Sequence, residues 1–405
     1  MSDYKEKKAY EIHEIEIKDS NRWKILTEPV DFIKLGIDVV GFDDDNGHGS
    51  DTTIINEDIV VEELAPKIFS IIRMKEGITN TIIKESLSPE FNRDMVFKAG
   101  EGQGKSGSFF FFSHDRRFII KTMNHSEYGT FLHMFKDYYK HILNNECSLL
   151  ARIYGIFTVT KEKLMPVHLI LMGNTVKLHG KGENLKYIFD LKGSLSGRET
   201  KIKRDFKPSQ TLKDINLLEI KKNENLLRFT LEDKLKIMNS IEKDVKLLSE
   251  ANIMDYSLLL AIEENPNYHE MVAPIKGLTK KSSSYNFNEL KVDLAAIQAE
   301  ATPKHSVKNE TIKSSYLKLF EGKRHVFMSS NMKYIYHIAI IDYLQFYNLD
   351  KKLENFVKEI MVGRRAEISS VPPERYGKRY FDFMENHVIE VDKKYINASF
   401  HYSKI

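Results

Sequence analysis

The sequence predicts an α+β fold of two lobes, with antiparallel sheets and flanking helices. Up to about residue 173, strand-like apolar runs are divided by turns, and one segment among them has helical spacing. The clearest helical pattern follows at 230–251, and strand character returns at 325–344. A chain of 405 residues is long enough for such a bilobal arrangement and needs no disulfide bonds to support its core.

We divide the chain into an amino-terminal extension and two lobes. Residues 1–59 form the extension, which we expect to be partly flexible and to contain a polar linker at 42–53. The first lobe covers 60–174 and the second covers 175–395. Within the second lobe, residues 264–324 are polar and weakly patterned, as expected of an insertion.

The helices are predicted from the spacing of their apolar residues. Four segments are expected to be helical: 61–78, 126–143, 230–251 and 372–389. In the third segment Thr230 and Asp233 can form a capping box. Its apolar face is predicted to consist of Leu231, Leu235, Met238, Ile241, Val245 and Leu248.

The composition excludes several classes of protein. Apolar residues make up 41% and charged residues 29% of the chain, which is typical of a folded protein. No apolar run reaches the roughly 18 residues of a membrane-spanning helix, and the charged amino terminus lacks a signal-peptide core. The single cysteine, Cys147, excludes a disulfide framework and indicates a reducing compartment. The net charge of +3 gives no reason to expect a nucleic-acid partner.

The stretch AGEGQGKSGSFFFF, residues 99–112, has the composition of a loop that binds phosphate through backbone N–H groups. A P-loop would need glycine where Ala99 stands, and a helix directly after its Lys-Ser pair. Here four phenylalanines follow, and they favour a strand. The spacing of Gly102, Gly104 and Gly107 instead fits the glycine-rich hairpin of kinases, with Lys121 on the return strand. A glycine-rich surface turn is the alternative.

Two aspartates are candidates for the acids that phosphoryl transfer needs. Asp255 follows the long helix and precedes an apolar strand, and Asp342 ends another apolar strand. A carboxylate in such a position is costly to bury unless it is paired or binds a metal. The alternatives are a helix-terminal turn residue for Asp255 and a strand-end cap for Asp342. No HRD or DFG tripeptide surrounds either aspartate, which disfavours an ordinary protein kinase.

Nine short motifs, spread in order over roughly residues 60 to 390, resemble those of the phosphatidylinositol phosphate kinases. They are APKIFSIIR, SLSPEFN, GKSGSFFFF, FIIKT, FDLKGS, TLKD, IMDYSLLL, IIDYL and KKLENFVK. The resemblance implies a bilobal fold distantly similar to protein kinases. It also implies transfer of the γ-phosphate of ATP, with Mg²⁺, to a hydroxyl of a phosphoinositide headgroup.

The resemblance assigns roles to individual residues. Asp255 would be the catalytic acid, Asp342 the Mg²⁺ ligand and Lys121 the lysine that binds ATP. Lys192 and Arg198 would contact the phosphate of the lipid headgroup, with Lys192 part of the catalytic set. They flank a turn and are expected to form an exposed cationic pair, for which a solvated charged turn is the alternative. The residues that would surround the ATP phosphates are Gly102, Gly104, Ser106, Gly107 and Ser108. The partner of Lys121 is left open between Glu127 and Thr130.

Residues 343–372 correspond to the activation loop of the family. They carry a basic amphipathic stretch that includes Lys351 and Lys352 and suits an anionic membrane surface. A packed helix with solvated charges is the alternative. We therefore expect a peripheral protein on the cytoplasmic face of membranes, with the plasma membrane as its main site. A homodimer is left open.

Glu354 in KKLENFVK matches the branch of the family that phosphorylates the 5-hydroxyl of phosphatidylinositol 4-phosphate. We expect phosphatidylinositol 4,5-bisphosphate as the product. FDLKGSLSGR also resembles kinases of phosphatidylinositol 3-phosphate, and RRAEISSVPPERYGKRY resembles 4-kinases of phosphatidylinositol 5-phosphate. The residues also leave open an inactive phosphoinositide-binding scaffold and a soluble inositol-phosphate or protein kinase.

Overall fold

The computed structural model describes most of both predicted lobes. The described residues are 50–56, 59–92, 110–176, 178, 182–202, 206–269, 325–347 and 371–392. The glycine loop, most of the predicted insertion and most of the activation loop lie outside these ranges. The following predicted site residues therefore lie outside the described residues and stay predictions: Gly102, Gly104, Ser106, Gly107, Ser108, Lys351, Lys352 and Glu354.

The first lobe contains a six-stranded antiparallel sheet, in the order β1-β2-β5-β6-β4-β3. Its strands are β1 (Ser50–Asn56), β2 (Ile59–Leu64), β3 (Phe110–Phe112), β4 (Phe118–Met123), β5 (Ile153–Lys161) and β6 (Val167–Gly173). Its helices are α1 (Pro66–Lys75), α2 (Asn80–Ser86) and α3 (His125–Asn144). Phe69 of α1 stacks on Phe131 and Phe135 of α3, whose own rings are tilted to each other.

The second lobe contains a five-stranded sheet, in the order β11-β12-β10-β7-β8, in which only β7 and β8 run parallel. The strands are β7 (Leu185–Leu191), β8 (Thr211–Leu212), β10 (Ser257–Glu264), β11 (Val326–Met328) and β12 (Tyr334–Ile341), and β9 (Ile253–Met254) pairs separately with β13 (Gln345–Phe346). The helices are α4 (Asp214–Asn223), α5 (Leu231–Glu250) and α6 (Pro373–Phe383), and a π-helical turn, Met384–Val388, follows α6. The predicted α+β class is confirmed.

The predicted helices at 126–143, 230–251 and 372–389 correspond to α3, α5 and α6 with its π-helical turn. The hydroxyl oxygen of Thr230 accepts the N–H of Asp233 at 3.0 Å, which is one half of the predicted capping box. The Asp233 carboxylate accepts the Thr230 hydroxyl at 2.8 Å instead of the Thr230 N–H that the second half of the box requires. The predicted apolar face of α5 is wrong at its start, because Leu231 and Leu235 are 52% and 63% exposed. The described helices include none that is long and apolar enough to cross a membrane.

Two predictions near the start of the first lobe are wrong. Residues 59–64 form β2, although the apolar spacing predicts a helix from residue 61. The helix begins only at Pro66, because proline is well suited to the first helical turn and β2 opens with three β-branched residues, 59–61. Part of the predicted linker, from Ser50 onwards, is strand β1, which pairs with β2.

The segment between α3 and β5 joins the first lobe to the second. Its Ala151 N–H donates to the carbonyl of Ile340 at 2.9 Å, and the Ile340 N–H donates to the carbonyl of Leu149 at 2.7 Å. The Leu149 N–H donates to the buried Asp244 carboxylate on α5 at 2.7 Å. The hydroxyl of Tyr343 donates to the carbonyl of Ala151. This segment is therefore fixed to β12, the strand that ends just before Asp342.

Candidate active site

Three predicted site residues lie at the same edge of the second sheet, just beyond the ends of three neighbouring strands. Strand β10 pairs in antiparallel register with β12 on one side and β7 on the other. The start of β10 therefore lies beside the ends of β7 and β12. Lys192 follows β7, Asp255 precedes β10 and Asp342 follows β12. The sheet topology thus brings together residues that are 150 positions apart in the chain.

The two aspartates have unusual backbone conformations. Asp255 has φ of +62° and Asp342 has φ of +58°, both in the left-handed region that non-glycine residues seldom occupy. Aspartate tolerates this region better than most residues, since its short side chain can bond locally. Backbone strain of this kind costs on the order of 1–3 kcal/mol per residue and is concentrated at functional sites. Five other described non-glycine residues also have positive φ, so the candidate roles of the two aspartates rest on their shared position at the sheet edge together with this backbone geometry.

Lys192 and Asp255 face each other across the edge. Lys192 Nζ lies 3.8 Å from Asp255 Oδ1, and the two side chains are 22% and 23% exposed. At this distance the pair is loose compared with a hydrogen-bonded ion pair. Both groups retain free bonding positions toward solvent, so a substrate hydroxyl or phosphate can approach them without breaking a tight contact.

The surroundings of Asp342 combine solvent access with a shifted pKa. Its side chain is exposed, yet the nearby protein desolvates the carboxylate and raises its pKa. Lys121 and Lys192 act in the opposite direction, while Asp190 and Glu127 raise the pKa further. These four charged residues come from both lobes, so Asp342 lies where the lobes face each other. A carboxylate that is costly to keep ionised and open to solvent is well placed to bind a cation.

The first lobe contributes Lys121 on β4. Its Nζ lies 2.9 Å from Glu127 Oε1, and both side chains are largely buried. The other Glu127 oxygen accepts the N–H of Asn124 at 2.9 Å, and the Asn124 side chain accepts the N–H of Glu127 at 2.8 Å. One carboxylate thus closes the capping box of α3 and pairs with the lysine. Thr130, the second candidate partner, donates instead to the carbonyl of Ser126 within the helix.

Strand β3 determines which kind of loop precedes it. Phe110 pairs with Lys121 in the β3–β4 hairpin, and Lys121 Nζ lies 5.7 Å from the centre of the Phe110 ring. A strand in this position excludes the P-loop geometry, in which a helix follows the loop. The prediction that the phenylalanines begin a strand is confirmed for Phe110–Phe112, and Phe109 lies outside the described residues.

Arg198 differs from its prediction as an exposed cation. Its side chain is 11% exposed and lies between two carboxylates. The Nη2 atom donates to Asp190 Oδ1 at 2.7 Å, and Nε donates to Asp214 Oδ2 at 2.8 Å. The prediction of an exposed cationic pair is therefore wrong for Arg198, because two acidic partners distant in sequence neutralise and cover it. A contact between Arg198 and a lipid phosphate stays a prediction.

Asp214 organises the loop that carries Lys192. It is fully buried at the start of α4, and its Oδ1 accepts the backbone N–H groups of Lys192 at 3.0 Å and Gly193 at 2.8 Å. Sequence reasoning assigned no role to Asp214 or Asp190. A signal was present for both, since Asp190 stands in FDLKGS and Asp214 ends TLKD, where α4 begins.

The donor set fits ATP and Mg²⁺. Mg²⁺ in proteins commonly binds one or two carboxylates and completes its shell with waters and substrate phosphates. The described residues contain no group of three or more His, Cys, Asp or Glu side chains placed to hold a metal alone. They do offer the open carboxylates of Asp342 and Asp255, with Lys121 and Lys192 available for phosphate oxygens.

Comparison with known proteins matches the chain to phosphatidylinositol phosphate kinases. Residues 92–387 match the family model described as phosphatidylinositol-4-phosphate 5-kinase. A protein of Dictyostelium discoideum named a probable phosphatidylinositol phosphate kinase is 30% identical over 80% of this chain and 47% of its own length. A phosphatidylinositol 4-phosphate 5-kinase of Schizosaccharomyces pombe is 27% identical over 82% of this chain and 46% of its own length.

A relative from the other branch matches equally well. The phosphatidylinositol 5-phosphate 4-kinase type-2 gamma of Danio rerio is 29% identical over 80% of this chain and 76% of its own length. The chain thus spans about half the length of the first two relatives and three quarters of the third. With the strand-edge aspartates, the Lys121–Glu127 pair and the match over residues 92–387, the chain belongs to the phosphatidylinositol phosphate kinase family.

Proposed function

We propose that this protein transfers the γ-phosphate of ATP to the 5-hydroxyl of phosphatidylinositol 4-phosphate at a membrane surface. The observation that carries the proposal is the meeting of Asp255, Asp342 and Lys192 at one sheet edge, facing Lys121 of the other lobe. Two acids and two lysines at the junction of the lobes match the needs of phosphoryl transfer, which depends on positioning and on neutralising charge.

Each residue has a distinct part in the proposed reaction. Asp342 would hold Mg²⁺ beside the phosphates, and Lys121, fixed by Glu127, would bind phosphate oxygens of ATP. When bound, ATP would supply the phosphoryl group and Mg²⁺ the positive charge that offsets the phosphate oxygens. Asp255 orients the acceptor hydroxyl and receives its proton. Lys192, 3.8 Å from Asp255, attracts the headgroup phosphate to the same place.

The 5-kinase specificity is supported by the sequence of the activation loop and by some of the relatives. Glu354 matches the 5-kinase branch. Relatives from Schizosaccharomyces pombe and Arabidopsis thaliana are named 5-kinases, and those from Danio rerio and Rattus norvegicus are named 4-kinases. The basic amphipathic stretch around Lys351 and Lys352 is proposed to bind anionic lipid, on the cytoplasmic face of membranes.

A lipid panel tests the proposal. Liposomes that each contain one monophosphorylated phosphoinositide are incubated with enzyme, ATP and Mg²⁺, and the position of the new phosphate is determined. We expect phosphatidylinositol 4-phosphate to be used at least about 10-fold better than the 3- or 5-phosphate. A preference for either of those lipids would overturn the 5-kinase assignment.

One variant and its matched control distinguish an active kinase from a catalytically inactive phosphoinositide-binding scaffold. Asp255→Asn should lower turnover at least about 100-fold and leave liposome binding unchanged. Asp137→Asn, at an exposed position of α3, is the matched control and should behave as wild type. Wild-type protein that binds liposomes but phosphorylates no lipid would support the scaffold. Equal phosphorylation of free headgroup and liposomes would support a soluble kinase.

A further inference from the structure

Helix α6 packs directly behind the two loops that carry Lys192 and Asp255. At Gly193, φ is +66°, and an added Cβ would lie 3.0 Å from the Arg379 carbonyl oxygen and 3.0 Å from Tyr380 Cα. A side chain at this position would therefore collide with the backbone of α6. On the other loop, Tyr256 packs edge-on against Tyr376 and Tyr380, with ring centres 4.7 and 5.0 Å apart. One helix thus supports both sides of the Lys192–Asp255 pair.

The two tyrosines of α6 differ in one respect. Tyr376 and Tyr380 are both fully buried, lie one turn apart and contact the same Tyr256 ring. The hydroxyl of Tyr376 donates a hydrogen bond to the main-chain carbonyl of Tyr256. The hydroxyl of Tyr380 has no hydrogen-bond partner among the described residues. Burial raises the pKa of Tyr376 well above its ordinary value, so its hydroxyl keeps the proton that it donates.

The hydrogen bond from Tyr376 reaches the residue beside a strained aspartate. Asp255 is held at φ of +62°, and strand β10 starts two residues later. A backbone in this region relaxes unless its surroundings hold it. The β10 ladder fixes the chain from Ser257 onwards, and Tyr376 fixes the carbonyl that lies between the ladder and Asp255.

We propose that Tyr376 is a positioning residue for Asp255, holding the adjacent backbone so that the carboxylate faces the acceptor hydroxyl. The proposal rests on the function proposed above. It assigns to α6 a role that the motifs of the sequence did not indicate. Because Tyr376 acts through Tyr256, its loss should alter the chemical step more than the binding of either substrate.

The test compares Tyr376→Phe with Tyr380→Phe. Each variant removes one buried hydroxyl from the same helix, but only the first removes a hydrogen bond. We expect Tyr376→Phe to lower kcat about 10-fold with the KM values for ATP and lipid changed less than about 2-fold, and Tyr380→Phe to keep wild-type kinetics. Equal kcat values for the two variants, with both folded at the assay temperature, would overturn the proposal.

A second measurement separates this proposal from the proposed function. Hydrogen–deuterium exchange of the peptide covering residues 253–258 reports backbone order without any turnover. Exchange there should be faster in Tyr376→Phe than in Tyr380→Phe, even if the wild type phosphorylates no lipid of the panel. Identical exchange in the two variants would show that Tyr376 does not hold this backbone, whatever the activity of the protein.

Discussion

The two lobes supply charged residues to the site in different ways. In the first lobe, Lys121 and Glu127 form a tight, mostly buried ion pair, and the same carboxylate completes the cap of α3. In the second lobe, Asp255 and Asp342 lie in left-handed backbone conformations, and Lys192 approaches Asp255 only to 3.8 Å. The charged residues of the first lobe thus have close partners within that lobe. Of those in the second lobe, the two aspartates have strained backbones, and all three side chains are open to solvent.

This difference indicates which lobe contains the charged residues that a bound ligand would stabilise. Lys121 lies on a strand and is paired with Glu127, so its position does not depend on a bound ligand. A strained, desolvated carboxylate gains stability when a cation binds it. We therefore expect substitutions of the second-lobe site residues to reduce activity most. At Asp342 we also expect the free protein to become more stable, since functional residues often lower the stability of the fold.

The largest effect is expected at Asp342. Asp342→Asn should lower activity at least about 100-fold, because the charge that would hold Mg²⁺ is lost. Asparagine accepts the left-handed backbone and removes a desolvated charge. The variant should therefore melt at a higher temperature than wild type at neutral pH without nucleotide, measured by scanning calorimetry. Asp137→Asn is the control. A lower melting temperature than wild type would contradict the comparison.

The raised pKa of Asp342 also gives a dependence on pH. The native protein holds this proton more tightly than the unfolded chain, so its contribution to stability falls as pH rises from the ordinary aspartate value through the raised one. Asp342→Asn should lack this component, and its advantage in melting temperature should shrink as the pH is lowered below that window. A gap that stays constant with pH would argue against a raised pKa.

A smaller effect is expected from the first lobe. Glu127→Gln keeps the capping contact but removes the charge, and should lower kcat/KM for ATP about 10-fold with little change in melting temperature. Glu127→Ala should lower activity similarly and also destabilise the protein by about 1 kcal/mol, because the side chain that accepts the Asn124 N–H is lost. Thr130→Val is the control. If it matched Glu127→Gln in activity, Thr130 would be restored as the candidate partner.

The smallest effect is expected at Arg198. Arg198→Lys keeps one charge but cannot reach Asp190 and Asp214 in the same geometry, so the Lys192 loop should loosen. We expect the lipid KM to rise about 3-fold and the ATP KM to stay unchanged. Arg117→Lys is the control, since Arg117 is exposed and pairs with the half-buried Asp115. A rise of about 30-fold or more in lipid KM would instead support direct contact between Arg198 and the headgroup phosphate.

The sequence alone located the site residues that lie at the ends of strong local patterns. Lys121, Asp255 and Asp342 could be found because the first lies within an apolar strand and the other two lie beside one, and those strand patterns are readable. The partners of these residues could not be found in this way. The burial of Arg198 depends on Asp214, 16 positions away, and Tyr376 meets Tyr256 across 120 positions. Such contacts are fixed by tertiary packing, which local periodicity does not record.

The boundary between β2 and α1 shows a second limit of prediction from the sequence. Residues 61–64 fit both a helix and a strand pattern over so short a distance, and the strand forms because β1 and β5 pair with it on both sides. The choice between Glu127 and Thr130 could not be made from the sequence for a related reason, since the distance of each from Lys121 follows from where α3 begins. The cap at Asn124 fixes that start.

The attachment of the Leu149 segment to β12 has a mechanical consequence. Because this part of the first lobe is hydrogen-bonded to the strand that ends just before Asp342, it links the two lobes close to that aspartate. If the lobes rotate about this link, parts of the first sheet far from it would be displaced most and Asp342 least. Such a hinge would leave the proposed cation ligand in place while the rest of the first lobe moved.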